Sequence, residues 1–433
     1  MKDGKTLKSN TYTYNSACAC NNLKTANLKR AELLSPAGDM NKLKTAINYG
    51  ADAVYVGGKA LSLRALAGNF TDEEIISAVE YVHERNKKIY VTVNIFGRNS
   101  DITAAEKYFK FLEKAGVDGA IVSDTGLIYA ARTVAPNLNV NLSTQANTLN
   151  YKTVEFWKNQ GLKRIILARE LSLAEIKEIH DKVPDIELET FIHGAMCISY
   201  SGRCLLSDYR AGRPSNRGEC VQACRWNYEI REKGSSGAFM EMQEDERGTY
   251  ILNSKDLNLL DYIPQLIEAG VCSFKIEGRM KSEYYLATVI NAYRRALDDF
   301  YRNGVSYRDN PVYKNELNKT AHREFTTAYI NGTNDRTENF NDSQSKGSSK
   351  FIALVTKDRA EGVCEIEMRN RFKTGDKLEV LSPTDNFLKT VTVEKMTDEK
   401  GNVVTDAKVV QQKLKLYTDV DLKKGDILRT ENL

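Results

Sequence analysis

The chain has 433 residues, a net charge of +4, and 41% hydrophobic and 28% charged side chains. That length buries a large core and calls for at least two domains. The near-neutral balance excludes nucleic-acid binding by bulk charge, so any such surface must be a local patch. No apolar run approaches the length of a membrane span, and no membrane partner is expected.

Residues 1–30 are polar, rich in Lys, Asn and Thr, and lack the apolar segment of a signal peptide; they read as a disordered leader. Cys18 and Cys20 lie in it without an evident role. A reducing, cytoplasmic location follows, where clustered cysteines bind metal or do redox chemistry more often than they form structural disulfides.

From residue 31 short apolar, β-branched runs recur: Glu32–Leu34, Ala53–Val56, Ile89–Ile95, Ala120–Ser123, Val140–Thr144, Arg164–Ala168, Glu187–Ile192 and Ser273–Ile276. Helical patterns lie between most of them. Thr71 with Glu74, and Ser172 with Glu175, form capping boxes ahead of apolar residues at helical spacing. Asp39 opens another helix, which Gly50 closes. Eight strands alternating with helices predict a (β/α)8 TIM-like barrel over residues 31–331. About eighty residues separate the seventh run from the eighth, so an insertion follows strand seven. A helix from Ser282 to about Tyr301 closes the barrel.

Residues 332–349 are rich in Asn, Ser, Asp and Gly and read as a linker. Beyond it, Phe351–Val355, Val363–Met368, Lys377–Val380, Val391–Val393 and Leu414–Leu416 predict a small all-β barrel or sandwich over 350–433.

The insertion begins with Cys197, Cys204, Cys220 and Cys224, half of the chain's eight cysteines, separated by six, fifteen and three residues. Thiolates suit iron–sulfur clusters and zinc. Cys220/Cys224 matches the tight pairing of a zinc site, whereas Cys197/Cys204 is too widely spaced for one. Spacing alone leaves iron–sulfur, zinc and disulfide open. Arg203, Arg210, Arg213, Arg217 and Arg225 surround the thiols; they suit phosphate or carboxylate, and equally offset a thiolate-bound cluster's charge. Tyr200, Tyr209 and Trp226 add surface for stacking on a base or for packing.

Barrel active sites form at the carboxyl ends of the strands. His193 and Cys197 at the end of strand seven should share that face with Glu277 and Arg279 at the end of strand eight. His193 is read as a catalytic candidate or as a structural histidine. Lys255 and Glu277 are further catalytic candidates; Glu32, Asn94 and Gln145 occupy matching places in or just beyond strands one, three and five. No G-x-S-x-G elbow, P-loop, H-E-x-x-H helix or strand-following G-x-G-x-x-G occurs.

Residues 189–207, E-T-F-I-H-G-A-M-C-I-S-Y-S-G-R-C-L-L-S, resemble the signature of the collagenase-like peptidases of family U32. E-L-L-S-P-A-G at 32–38, A-D-A-V-Y-V-G-G at 51–58, S-N-R-G-E-C at 215–220, L-N-S-K-D-L at 252–257 and K-I-E-G-R-M at 275–280 agree with it. The resemblance leaves activity open between a peptidase of unknown catalytic type and RNA- or quinone-hydroxylating branches that carry a four-iron four-sulfur (4Fe-4S) cluster. A single barrel with the C-terminal domain and H-R-E-F-T-T-A-Y at 322–329 is similar to the branch that hydroxylates tRNA. That resemblance implies 5-hydroxyuridine at the wobble position, with prephenate, a small dicarboxylate, as hydroxyl source. It also implies Cys197, Cys204, Cys220 and Cys224 as cluster ligands. From their own chemistry and position, Arg203, Arg225 and Arg279 are expected to hold the donor's carboxylates, with Tyr200, Asn94 and Gln145 as further substrate contacts. Ala328 stands where the resemblance implies a glycine.

Overall fold

The computed structural model describes residues 29–59, 61–63, 68–226, 244–245, 248–249, 254–332 and 345–431. The leader up to residue 28, with Cys18 and Cys20, and linker residues 333–344 lie outside that set.

Seven parallel strands follow in chain order: β1 (Glu32–Pro36), β2 (Ala53–Gly57), β3 (Lys88–Val93), β4 (Gly119–Val122), β5 (Val140–Leu142), β6 (Arg164–Ile166) and β7 (Glu187–Ala195). The short β8 (Asp256–Asn258) lies in the insertion, and β9 (Val271–Ile276) is the eighth barrel strand. β9 pairs in parallel with both β1 and β7, which closes the barrel. All eight sequence-predicted runs are therefore its staves. Their near-continuous burial is that of parallel strands covered on both sides.

Helices α1 (Met40–Asn48), α2 (Asp72–His83), α3 (Ile102–Ala115), α4 (Thr125–Val134), α5 (Tyr151–Asn159) and α6 (Leu173–Lys182) cover the outside. Thr71 and Ser172 make the reciprocal capping boxes, and the Asp39 carboxylate accepts from the Lys42 amide. The insertion holds α7 (Leu206–Ala211), β8 and, just before β9, α8 (Ile263–Glu268). β8 runs antiparallel to the end of β7. After β9 come the long α9 (Glu283–Asn303), capped by Ser282, and α10 (Pro311–Asn318). The two-residue β10 (Phe325–Thr326) then adds to β8.

Inside the barrel, toward the amino ends of the strands, lies a ladder of charges. Arg164 reaches Glu32 at 2.6 Å, Glu187 at 2.8 Å and Glu189 at 3.3 Å, and Lys275 meets Glu189 at 2.8 Å. Buried charges survive because each has an opposite partner. Glu32 opens β1 and bonds Arg164 at the start of β6. It therefore occupies the opposite end of the barrel from Asn94 and Gln145, and the matching places expected for these three residues do not hold.

The C-terminal unit contains β11 (Ser349–Val355), β12 (Val363–Met368), β13 (Lys377–Leu381), β14 (Thr390–Thr392), β15 (Lys395–Thr397), β16 (Lys413–Tyr417) and β17 (Ile427–Glu431). They form one antiparallel sheet in the order β14-β13-β17-β11-β12-β16-β15. β14 and β15 are its edges, so the expected small β domain is a half-barrel. The sequence reading missed β17 because Arg429 interrupts its apolar run. That guanidinium is fully buried against Glu316 and Glu379, each at 2.7 Å, and joins the sheet to α10. The described end of the linker follows an extended path, pairing Lys346 with His322 before β11 begins.

Candidate active site

A cavity of about 190 Å3 opens at the carboxyl ends of the barrel strands. All four insertion cysteines line it, together with Asn94, Gln145, Arg169, Arg225, Lys275, Glu277 and Arg279.

The barrel supplies a basic, hydrogen-bonded wall. Arg279 leaves the end of β9 and is 4% exposed, its Nη1 lying 2.9 Å from both Ser62 Oγ and Thr92 Oγ1. Gly57 makes room for it: a Cβ there would collide with the guanidinium. Asn94 Nδ2 donates to Gln145 Oε1 at 2.6 Å, tying the loop after β3 to the turn after β5. Lys275 Nζ, bonded to Glu189, also sits 4.4 Å from the Tyr55 ring centroid. Arg169, just past β6, donates to Ala195 O at 2.8 Å and Ser201 Oγ at 2.6 Å. It thereby spans the loop that carries Cys197.

The insertion supplies the opposite wall. Arg217 binds the Asp101 carboxylate and Phe96 O, anchoring the insertion to the loop after β3. Ser215 Oγ donates to Cys204 O at 2.6 Å, while Ser207 Oγ accepts from the Val221 amide at 3.1 Å. These bonds bring cysteines distant in sequence to one cavity. The Leu206 amide donates to Cys204 Sγ and the Gln222 amide to Cys220 Sγ, both at 3.4 Å. Burial raises the Cys224 thiol pKa and Arg225 opposes it; the other three cysteines add to the rise, so the four groups act on one another. All four are free thiols, Cys197 exposed and the others half-buried.

Four thiols at one cavity, two of them accepting amide N–H bonds, are the donor chemistry a cubane cluster would take, with thiolates for its iron and N–H groups against its negative charge. Among the described residues no group of three or more His, Cys, Asp or Glu is gathered closely enough to hold a metal ion.

Other expected site residues lie elsewhere. His193 does not line the cavity. The β7–β9 register shifts between Phe191/Lys275 and His193/Ile276, placing an extra residue in β7. A one-residue bulge reverses the side a strand residue faces. His193 therefore packs beside Tyr285 and Tyr293 of α9 and Phe325, 1% exposed, with Nδ1 3.4 Å from Tyr293 Oη. Burial pushes its pKa down to about 3, which keeps it neutral. Lys255 turns away to Glu324 at 3.3 Å. Arg203 lies at the exposed rim with its guanidinium 5.4 Å from the Phe96 ring, and Tyr200 is 46% exposed; neither lines the cavity.

Sequence reasoning missed Arg169 and left Lys275 out of the expected site. Lys275 carried a signal, a lone charge inside an apolar strand; Arg169 carried none beyond its place after β6.

Residues 38–339 match peptidase family U32, and residues 348–429 match the peptidase family U32 C-terminal domain. The chain is 43% identical over 404 residues to tRNA hydroxylation protein P1 of Bacillus subtilis, covering 93% of this chain and 95% of that protein. It is 33% identical over 370 residues to the 23S rRNA 5-hydroxycytidine C2501 synthase of Escherichia coli, covering 82% of this chain and 53% of that protein. It is 30% identical over 380 residues to a collagenase of Porphyromonas gingivalis, covering 84% and 89%.

Proposed function

The chain belongs to peptidase family U32, and on that premise we propose that it hydroxylates RNA, with tRNA as substrate. The finer reading is 5-hydroxylation of the wobble uridine, with a 4Fe-4S cluster on Cys197, Cys204, Cys220 and Cys224 and prephenate as hydroxyl source. The observation that carries it is the shared cavity, where four free thiols face a basic wall. Relatives whose names specify hydroxylation of tRNA and of an rRNA cytidine support the reaction class.

Each residue has a part in this reading. Arg225 and Arg279 offer guanidinium forks to the carboxylates of the dicarboxylate donor. Asn94 and Gln145 present amide groups to the edge of a uracil flipped into the cavity. Arg203 and Tyr200 at the rim meet the RNA outside it. Glu277 holds or releases a proton beside the reacting base. When bound, the cluster supplies electron transfer at the cavity wall.

Nucleoside mass spectrometry of tRNA tests the reading in a deletion strain, complemented by the wild-type chain or by Cys220→Ala. Loss of 5-hydroxyuridine restored only by wild type supports it; an unchanged modification level in the deletion strain refutes it. The collagenase relative favours a second reading as a peptidase. Among the described residues, however, His193 is packed away from Cys197's cavity, so a Cys–His nucleophile pair is not assembled. Gelatin cleavage by wild type that disappears in Cys197→Ala would favour this second reading.

A further inference from the structure

The motif H-R-E-F-T-T-A-Y has no part in the reaction outlined above, yet the fold brings it beside the cysteines. β10 adds to β8, and β8 lies against the end of β7. Arg323 then grips Asp256 with three bonds: amide to Oδ2 at 3.0 Å, Nε to Oδ1 at 3.1 Å and Nη2 to Oδ1 at 2.6 Å. Both side chains are buried, at 2% and 7% exposure. The Asp256 amide returns a bond to Glu324 O at 2.9 Å.

The pair lies at the cysteine end of the barrel. Asp256 pairs with Ala195 of β7, two residues before Cys197, and Arg225, next to Cys224, lines the cavity with the four thiols. Lys281 Nζ donates to Ala321 O at 3.1 Å, two residues before Arg323. A cluster held by four thiolates is an anion whose potential follows the surrounding charge and hydrogen bonds.

We propose that Arg323 and Asp256 form a positioning pair that sets the charge around the cysteine site, and through it the reduction potential of the iron–sulfur cluster. Its basis is the three-bond Asp256–Arg323 contact and the pairing of Asp256 with Ala195, two residues before Cys197. It rests on the cluster reading above.

The test uses the full chain, reconstituted with iron and sulfide without oxygen. It measures iron content and the reduced fraction of cluster, by electron paramagnetic resonance, over a series of fixed potentials. Arg323→Met leaves Asp256 uncompensated, adds net negative charge and should make the cluster harder to reduce. Asp256→Asn removes a negative charge and should make it easier to reduce. A unit charge acting over about 10 Å through an effective dielectric of about 20 changes the reduced-to-oxidised ratio roughly tenfold. For one electron that corresponds to about 59 mV. Arg323→Lys keeps the charge and should remain near the wild-type potential.

Opposite shifts with wild-type iron content support the proposal. Shifts of the same sign, unchanged potentials, or loss of cluster in all three variants overturn it and leave the pair a purely structural clamp. A wild-type chain that takes up no iron refutes the cluster reading itself, an outcome distinct from any difference among loaded variants.

Discussion

Glu189 is the keystone of the charge ladder below the cavity, and its neutralisation should be costly in a specific way. Its carboxylate is 1% exposed and accepts from Lys275 Nζ at 2.8 Å, Arg164 Nη1 at 3.3 Å and Ser273 Oγ at 3.2 Å. Arg164 keeps Glu32 and Glu187 if Glu189 is lost, whereas Lys275, 3% exposed, loses its carboxylate. Glu189→Gln therefore leaves a buried ammonium with only an amide oxygen, and breaking such a pair from one side costs about 3–5 kcal/mol. Lys275→Met alone should cost less, about 1–3 kcal/mol, because Glu189 still bonds Arg164 and Ser273. The double variant removes both charges, so its loss should be smaller than the sum of the two by about 2–3 kcal/mol. Urea unfolding followed by far-UV circular dichroism reads this as midpoint shifts at constant slope. Additive losses, within about 0.5 kcal/mol, would refute the pairing argument.

Three further outcomes follow from particular residues. Tyr209 is 85% exposed and Trp226 41%, both in the insertion that also carries exposed Arg203. Tyr209→Ala and Trp226→Ala should each weaken tRNA binding by about 1–3 kcal/mol, measured by titration at fixed salt; unchanged affinity would remove these rings from the RNA surface. The His193 pKa is depressed from 6.5 to about 3 by burial, so between those values the unfolded chain binds a proton that the folded chain does not. Stability should fall as pH drops from 6.5 toward 3, by up to about 1.4 kcal/mol per pH unit, and His193→Phe should flatten that limb in melting-temperature profiles. Ala328 adopts φ +51° at 1% exposure, a left-handed conformation that suits glycine. Ala328→Gly should relieve strain of roughly 1 kcal/mol and raise the unfolding midpoint.

Much of the architecture was written in local patterns. The eight barrel strands, the capping residues Asp39, Thr71, Ser172 and Ser282, and five of the C-terminal strands each declare themselves through apolar spacing or a capping side chain. Such signals depend on neighbours within a turn or two, so no long-range information is needed to read them. The four cysteines were equally visible, because their density is a property of the chain alone.

What only the tertiary structure decided is which side chains meet. A one-residue bulge in β7 turns His193 from the cavity to the α9 tyrosines, and no local pattern marks where a register shift will fall. Arg169 and Lys275 join the thiols, and Arg323 reaches Asp256 from 67 residues away, because barrel closure and the added strands β8 and β10 bring those ends together. Arg429 hid β17 for the same reason: a charge inside a central strand makes sense only once Glu316 of another element is seen to pair with it. Secondary structure follows from short-range spacing, which one sequence carries in full, whereas the composition of the site depends on strand register and on pairings between distant segments, which emerge when the chain packs.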